Sequence, residues 1–307
     1  MDLPIEYAPG LVEDVVLRAL DGHRLEGEFR GGRDRIYDEQ NAELRERAFG
    51  QLHATWFRRL RLDAPLVRAL GEQPSIARFT RVCRVVAART RRQEGAELFV
   101  NPPPSAPDAR SSRAVLIRLR PTTFLDEQGM LFLLRHEFMH ISDMLDPVFG
   151  YRPSLSRSDA GAVSDALVCE RYRVLWDTTI EGRLQRRGWA DAEVRQRSMD
   201  DFRAAFPMRR EDAERAFATW FDTPDHTHAD LVAFAENPGL GCVRCSLCGA
   251  PTRDPVQASG LAQQVVEQIQ EDCAGWRPQA GVCRQCADLY SSRCLEPERP
   301  PTAHPSH

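Results

Sequence analysis

Apolar residues return every three or four positions along most of this chain, and only two short stretches alternate as strands do. Ala48, Leu52, Trp56 and Leu60 step by four within a helical stretch from Asp38 to about Leu70, and Ser75 to Arg92 reads as a second helix. Leu131, Leu134, Phe138, Ile141 and Leu145 form one stripe on a helix that Thr123 and Asp126 open like a capping box and Pro147 ends. Further helical patterns run from Ala160 to Arg187, Asp191 to Phe206, Arg209 to Phe221 and Ala229 to Glu236, the last with Thr227 as its cap. The strand candidates are Glu97 to Val100, closed by the proline run 102–104, and Ala114 to Leu119, where aliphatic residues alternate with arginine. Residues 1 to about 35 are mixed, with turn signals at Pro9-Gly10 and Gly31-Gly32. The expected fold class is α+β, mostly helical, with a small sheet.

Asn237-Pro238-Gly239 breaks the helical pattern, and cysteine-rich sequence follows it. This predicts a domain over 1–238, a small module over 239–295 and a proline-rich tail without structure over 296–307. A chain of 307 residues can bury a core in each of two domains. The net charge of −4 offers no bulk field for nucleic acid. Every one of the 41 basic residues is arginine, so lysine chemistry, from Schiff bases to P-loops, is excluded. No apolar run approaches the ~18 residues that span a bilayer, and no leader is evident, so the expectation is a cytoplasmic protein without a membrane partner. Arg81, Arg84, Arg89, Arg91 and Arg92 read as a solvated helical face, with an acidic partner as the alternative.

His136, Glu137 and His140 form His-Glu-x-x-His, opposite the apolar stripe of their helix. Residues four apart share a face, so both imidazoles can grip one cation, with Glu137 beside them to take a proton from water. A catalytic zinc usually has a third protein ligand. In the Ala160–Arg187 helix, Glu170, Asp177 and Glu181 interrupt a seam with Val163, Leu167, Val174 and Leu184. Burying a bare carboxylate is costly unless it is paired or holds a metal. Glu181 is the favoured third ligand, with Gly182 allowing close helix packing, and Asp177 one turn earlier is placed to orient an imidazole. Asp146 is a rival ligand, Asp143 a candidate to orient His140, and the histidines of Asp225-His226-Thr227-His228 are a further alternative. Tyr151, Tyr172 or an arginine are candidates to stabilise an oxyanion.

Cys245-x-x-Cys248 and Cys283-x-x-Cys286, separated by 34 residues, suit a closed structural zinc site. Cys242 can replace Cys245, and Cys273 and Cys294 are spares. Cys83 and Cys169 read as buried small hydrophobes, and Leu261 to Glu271 as a helix between the knuckles. Trp276, Arg277 and Arg284 are the residues with which this module would touch a partner, protein or nucleic acid.

The His-Glu-x-x-His helix resembles that of the zincins, zinc-dependent metallopeptidases. That resemblance implies one catalytic zinc beside the structural one, a peptide or protein substrate, and an edge strand that pairs with extended substrate; Ala114 to Leu119 is similarly placed. An acid pair on a later helix is similar to the gluzincins, where the ligand glutamate comes first and the orienting acid follows; here the order is Asp177 then Glu181, so the two roles are open to exchange. The cysteine module resembles zinc ribbons. A zincin followed by a ribbon is similar in layout to the SprT-like proteases, which act on protein–DNA crosslinks, but their third histidine has no counterpart between His140 and His226. The expected function is zinc-dependent peptide hydrolysis with Glu137 as general base. The alternative is a non-catalytic binding or regulatory protein on the same scaffold.

Overall fold

A computed structural model describes residues 3–100, 112–153, 162–238, 243–248, 251–252, 256–273, 276–278 and 281–295. It divides into two compact units, Met1–Ala235 and Glu236–His307. The fold is α+β and mostly helical, and among the described residues no helix is long and apolar enough to cross a membrane.

The first unit runs β1 (Ile5–Tyr7), α1 (Pro9–Leu20), α2 (Glu26–Ile36), α3 (Ala42–Arg59), α4 (Ala64–Gly71), α5 (Pro74–Phe79), β2 (Val82–Ala87), β3 (Gly95–Val100), β4 (Arg113–Leu119), α6 (Glu127–Leu145), α7 (Ala162–Arg186), α8 (Val194–Ala205), α9 (Arg210–Asp222) and α10 (His228–Glu236). The sheet order is β1-β2-β4-β3, with β1, β2 and β4 parallel and β3 antiparallel to β4. Two sequence expectations need correction here. The stretch 75–92 is not one helix: α5 stops at Phe79, and Val82, Cys83 and Val85 enter the sheet as buried residues of β2. β-branched residues favour the pleated, buried position over a helical one. Nor is Ala114 to Leu119 the edge strand. β4 has a partner on both sides, and its alternate residues Val115, Ile117 and Leu119 are fully buried, so the edge belongs to β3.

Two apolar clusters fill this unit. One packs the sheet against α1 to α6, around Val15, Leu66, Ile76, Val85, Ile117, Leu134 and Phe138. The other is formed by α7 to α10, around Leu175, Ile180, Phe202, Phe217 and Leu231. Helix α6 lies between them. All five residues of its expected stripe are buried in the first cluster, while Met139 joins the second. Burying a Leu, Ile or Phe stabilises by about 1.5–3 kcal/mol, against roughly 0.2–1 kcal/mol for an exposed ion pair, so the apolar stripe sets the rotation of α6. Asp126, not Thr123, caps this helix: its carboxylate accepts from Gly129 N–H, while the Thr123 hydroxyl turns to Glu94. Arg135, itself buried, ties α6 to α4 through a two-pronged pair with Glu72 at 2.7 and 2.6 Å.

Gly182 of α7 sets the spacing to α9. A Cβ added there would lie 1.9 Å from the Phe221 carbonyl oxygen, a backbone atom that cannot swing away. Close packing at Gly182 is therefore real, but it serves the α7–α9 contact. Gly182→Ala is expected to destabilise the protein by about 1–3 kcal/mol through forced separation of these helices. Denaturant melts read this as a lower midpoint with unchanged slope; an unchanged midpoint contradicts the packing account.

The second unit contains the short antiparallel pair β5 (Val243–Arg244) and β6 (Pro251–Thr252), followed by α11 (Gln263–Asp272) and α12 (Arg284–Leu295). Its core gathers Val265, Ile269, Trp276, Val282 and Tyr290 around two of the cysteines. The expected tail over 296–307 and Cys242 lie outside the described residues.

Candidate metal centres

On α6 the two imidazoles stand one turn apart, with ring centroids 5.0 Å from each other. The donor that joins them comes from α7. Asp177 Oδ1 lies 3.0 Å from His140 Nε2 and 3.8 Å from His136 Nε2. Tetrahedral zinc with donors at ~2.0–2.1 Å puts its ligand atoms about 3.4 Å apart, and the two distances bracket that value. Donor atoms of His136, His140 and Asp177 all lie within 4.8 Å of one another. This group and a set of four cysteines are the candidate cation sites among the described residues.

Glu181, favoured from sequence as the third ligand, is not in that group. One turn beyond Asp177, it accepts a hydrogen bond from the buried Ser198 hydroxyl of α8. Burial raises its pKa above the ordinary glutamate value, and its field helps to raise that of His136. Glu170 points outward and pairs with Arg173 at 2.8 Å. Asp146 accepts the Val148 N–H at 2.8 Å and ends the helix. His226 bonds the Thr219 carbonyl, and buried His228 meets the Tyr172 hydroxyl at 2.8 Å, so neither joins the site. Thr227 caps α10 as expected, exchanging hydrogen bonds with Asp230.

Asp143 does not orient His140 directly. Its carboxylate accepts from Trp176 Nε1 at 2.8 Å and from both terminal nitrogens of Arg183 at 2.8 and 2.6 Å. The Trp176 ring then stands edge-on against His140, centroids 4.5 Å apart. Asp143 thus reaches the histidine through an indole, a relation invisible in the sequence because both partners sit more than 30 residues away.

Glu137 is held by the edge strand. Its Oε2 accepts the Ala96 N–H at 2.9 Å, and its Oε1 lies 3.5 Å from His136 Nδ1. Gly95 (φ +152°) admits that approach, because a Cβ there would sit 3.1 Å from Oε2. Burial pushes the Glu137 pKa up, but His136 and the Ala96 N–H outweigh it, leaving the carboxyl below its ordinary value and ionised at neutral pH. Burial likewise opposes protonation of His136, yet Glu137, Asp177 and Glu181 together raise its pKa. Asp177 is lowered overall, burial being outweighed by the two histidines and Arg173. His136, His140 and Asp177 form a donor set that could hold a cation.

In the second unit Cys245, Cys248, Cys283 and Cys286 bring their sulfurs within 4.8 Å of one another, an arrangement compatible with a zinc ribbon. The Cys248–Cys283 separation of 3.7 Å matches the edge of a zinc–sulfur tetrahedron with ~2.3 Å bonds, about 3.8 Å. Burial opposes ionisation of Cys245, but N–H groups of Cys248, Cys283 and Leu247 bring its pKa down to about 6. Cys286 is pushed up, by burial and by the neighbouring sulfurs. One thiolate forms readily and the next is resisted, which a divalent cation resolves. Trp276, expected as a contact residue, is buried and donates to Ser246 Oγ. Cys273 lies by Tyr290, outside the cluster, and Cys169 is exposed. Cys283→Ser is expected to remove one zinc per chain and to deprotect amides across 243–295 in hydrogen exchange. Unchanged zinc content contradicts a four-cysteine site.

No known protein family, curated protein or solved structure matches this chain.

Proposed function

We propose that the first unit is a zinc-dependent peptide hydrolase, with His136, His140 and Asp177 holding the metal, Glu137 as general base and Glu181 behind His136. The observation that carries this reading is the meeting of an acid from α7 with a turn-spaced imidazole pair whose neighbouring glutamate is ionised and held at a strand edge. In this assignment the ligand acid comes one turn before Glu181, which acts on His136 through its charge while its carboxylate accepts from Ser198. Zinc at this position supplies Lewis-acid polarisation of a carbonyl and acidifies water.

The residues of the chain do the rest. Glu137 takes a proton from the attacking water and returns it to the leaving amine as the C–N bond breaks. Its hydrogen bond to Ala96 N–H keeps one carboxylate oxygen on the strand and leaves the other toward His136. Peptide as substrate is supported by β3, an edge strand whose outward N–H at Ala96 meets the base itself. Extended chain laid along that edge gains main-chain hydrogen bonds without a sequence requirement. Of the oxyanion candidates, Tyr172 is committed to His228, while Arg173 brings Nη1 to 3.8 Å from Asp177 Oδ2 at the rim of an opening of about 560 Å³ beside His136.

Glu137→Gln tests the reading. Cleavage of a random peptide library, followed by mass spectrometry, is expected to fall by about 10²–10⁴-fold with both zinc ions retained. Equal cleavage by the variant contradicts the assignment of the base. Zinc in the α6–α7 site without cleavage by either protein contradicts hydrolysis.

A further inference from the structure

The arginines after β2, unassigned by the hydrolytic reading, open on the same edge as Glu137. A cleft of about 670 Å³ runs along the N-terminal end of β3, lined by Arg89, Arg92, Glu94, Glu97, Arg118 and, at its inner end, Glu137. Three arginines and three glutamates line it, but every glutamate already has partners, Glu137 with His136 and the Ala96 N–H. Glu94 turns away to Arg120 and Thr123, accepting from Arg120 N–H at 3.0 Å and Nε at 2.9 Å. Glu97 and Arg118 neutralise each other at 2.5 Å. Arg89 and Arg92 remain, exposed and without an ion pair among the described residues. Their backbone is not loose: Thr90 and Gln93 form a capping box around the turn Arg91–Gln93, and Gln93 Oε1 also accepts Arg89 N–H at 2.9 Å.

Resting on the hydrolase reading, we propose that this cleft is a carboxylate-recognition subsite, in which Arg89 and Arg92 bind an anionic group of the substrate on the leaving-group side of the scissile bond. The direction follows from the strand. Ala96 presents its N–H outward to Glu137, and outward groups alternate along β3, so the free edge carries the backbone groups of Ala96, Leu98 and Val100. Antiparallel pairing, the stabler arrangement, sends the C-terminal part of a bound chain past Ala96 toward Gly95 and the two arginines. At about 3.4 Å per residue, a few residues beyond the scissile bond span the turn. The anion is then either an acidic side chain or the terminal carboxylate, and guanidinium groups bind both by charge-assisted hydrogen bonds.

The test uses the full-length, zinc-loaded protein and acetylated alanine hexapeptides carrying one Glu or Gln at each of the last three positions, as free acid and as amide. Wild type is expected to show roughly tenfold higher kcat/KM for the anionic member of a pair, a ratio falling to about one in Arg89→Gln/Arg92→Gln. A preference confined to free acids assigns the chain end, and one persisting in amides assigns the side chain; both support the subsite. Equal rates across all pairs in wild type, or a preference unchanged in the double variant, overturn it. Equilibrium binding of the same peptides to the same proteins separates this failure from that of the hydrolase reading. If no peptide is cleaved, tighter binding of anionic peptides that vanishes in the double variant supports the subsite alone, and equal binding overturns it.

Discussion

The α6–α7 site depends on one buried carboxylate that takes no part in it. Asp143, with a side chain 9 % exposed, receives both terminal nitrogens of Arg183 and the Trp176 indole N–H. Desolvating an ion pair costs several kcal/mol, offset here by the three bonds Asp143 accepts although Arg183 Nε has no partner, and breaking such a pair costs about 3–5 kcal/mol. Asp143 lies on α6 and both of its partners on α7, so the clamp fixes the height of one helix against the other. With that fixed, His140 meets Asp177 at 3.0 Å and lies under the edge of Trp176. The apolar contacts of α6 with both clusters supply most of the stabilisation and set its rotation, but the hydrophobic effect fixes no bond geometry. Directional bonds come from Asp143, and from Arg135 on Glu72 about two turns earlier on the helix.

The second constraint is the edge strand. β3 carries exposed Phe99 and Val100, a poor inner strand but an accessible outer one. Its outward Ala96 N–H fastens the glutamate that the imidazoles need nearby. In the proposed hydrolase, α6 supplies two metal donors and the base, α7 the third donor, and β3 the surface for an extended chain. The arginine turn after β2 continues that surface. Each part comes from a different element, and the sheet register and the helix clamp bring them together.

A helix is legible where an apolar stripe is long, as in α6; in α7 the helix is legible but its buried face is not, since Leu167 and Glu170 of the expected seam are exposed and the core takes Tyr172, Leu175, Trp176 and Ile180 beside it. The stretch 75–92 misleads for a local reason: arginines at helical spacing mask Val82, Cys83 and Val85, whose burial depends on partners at Ile5–Tyr7 and Arg113–Leu119. Edge and interior strands carry no sequence label of their own, so β4, expected at the edge, lies inside the sheet and β3 takes the edge. At the site, His136, Glu137 and His140 are visible because their spacing is contained in one helix. The choice between Asp177 and Glu181 is not, since acids one turn apart share a face and only the height of α7 against α6 separates them. Asp143 misleads for a related reason: sequence shows a carboxylate one turn from a histidine, but not the arginine and indole that reach it first. The four cysteines are legible because knuckle spacing is local and their chemistry is specific, whereas Trp276, exposed or buried, reads the same in sequence.

The central claim is that Asp177 completes a cation site with His136 and His140. X-ray absorption at the zinc edge, with metal quantification, tests it on wild type and Asp177→Ala. Wild type is predicted to hold two zinc ions per chain, with sulfur near ~2.3 Å and nitrogen or oxygen at about 2.0–2.1 Å. Asp177→Ala is predicted to hold one, in an all-sulfur shell. A nitrogen–oxygen shell and a second zinc that survive in Asp177→Ala would contradict the account.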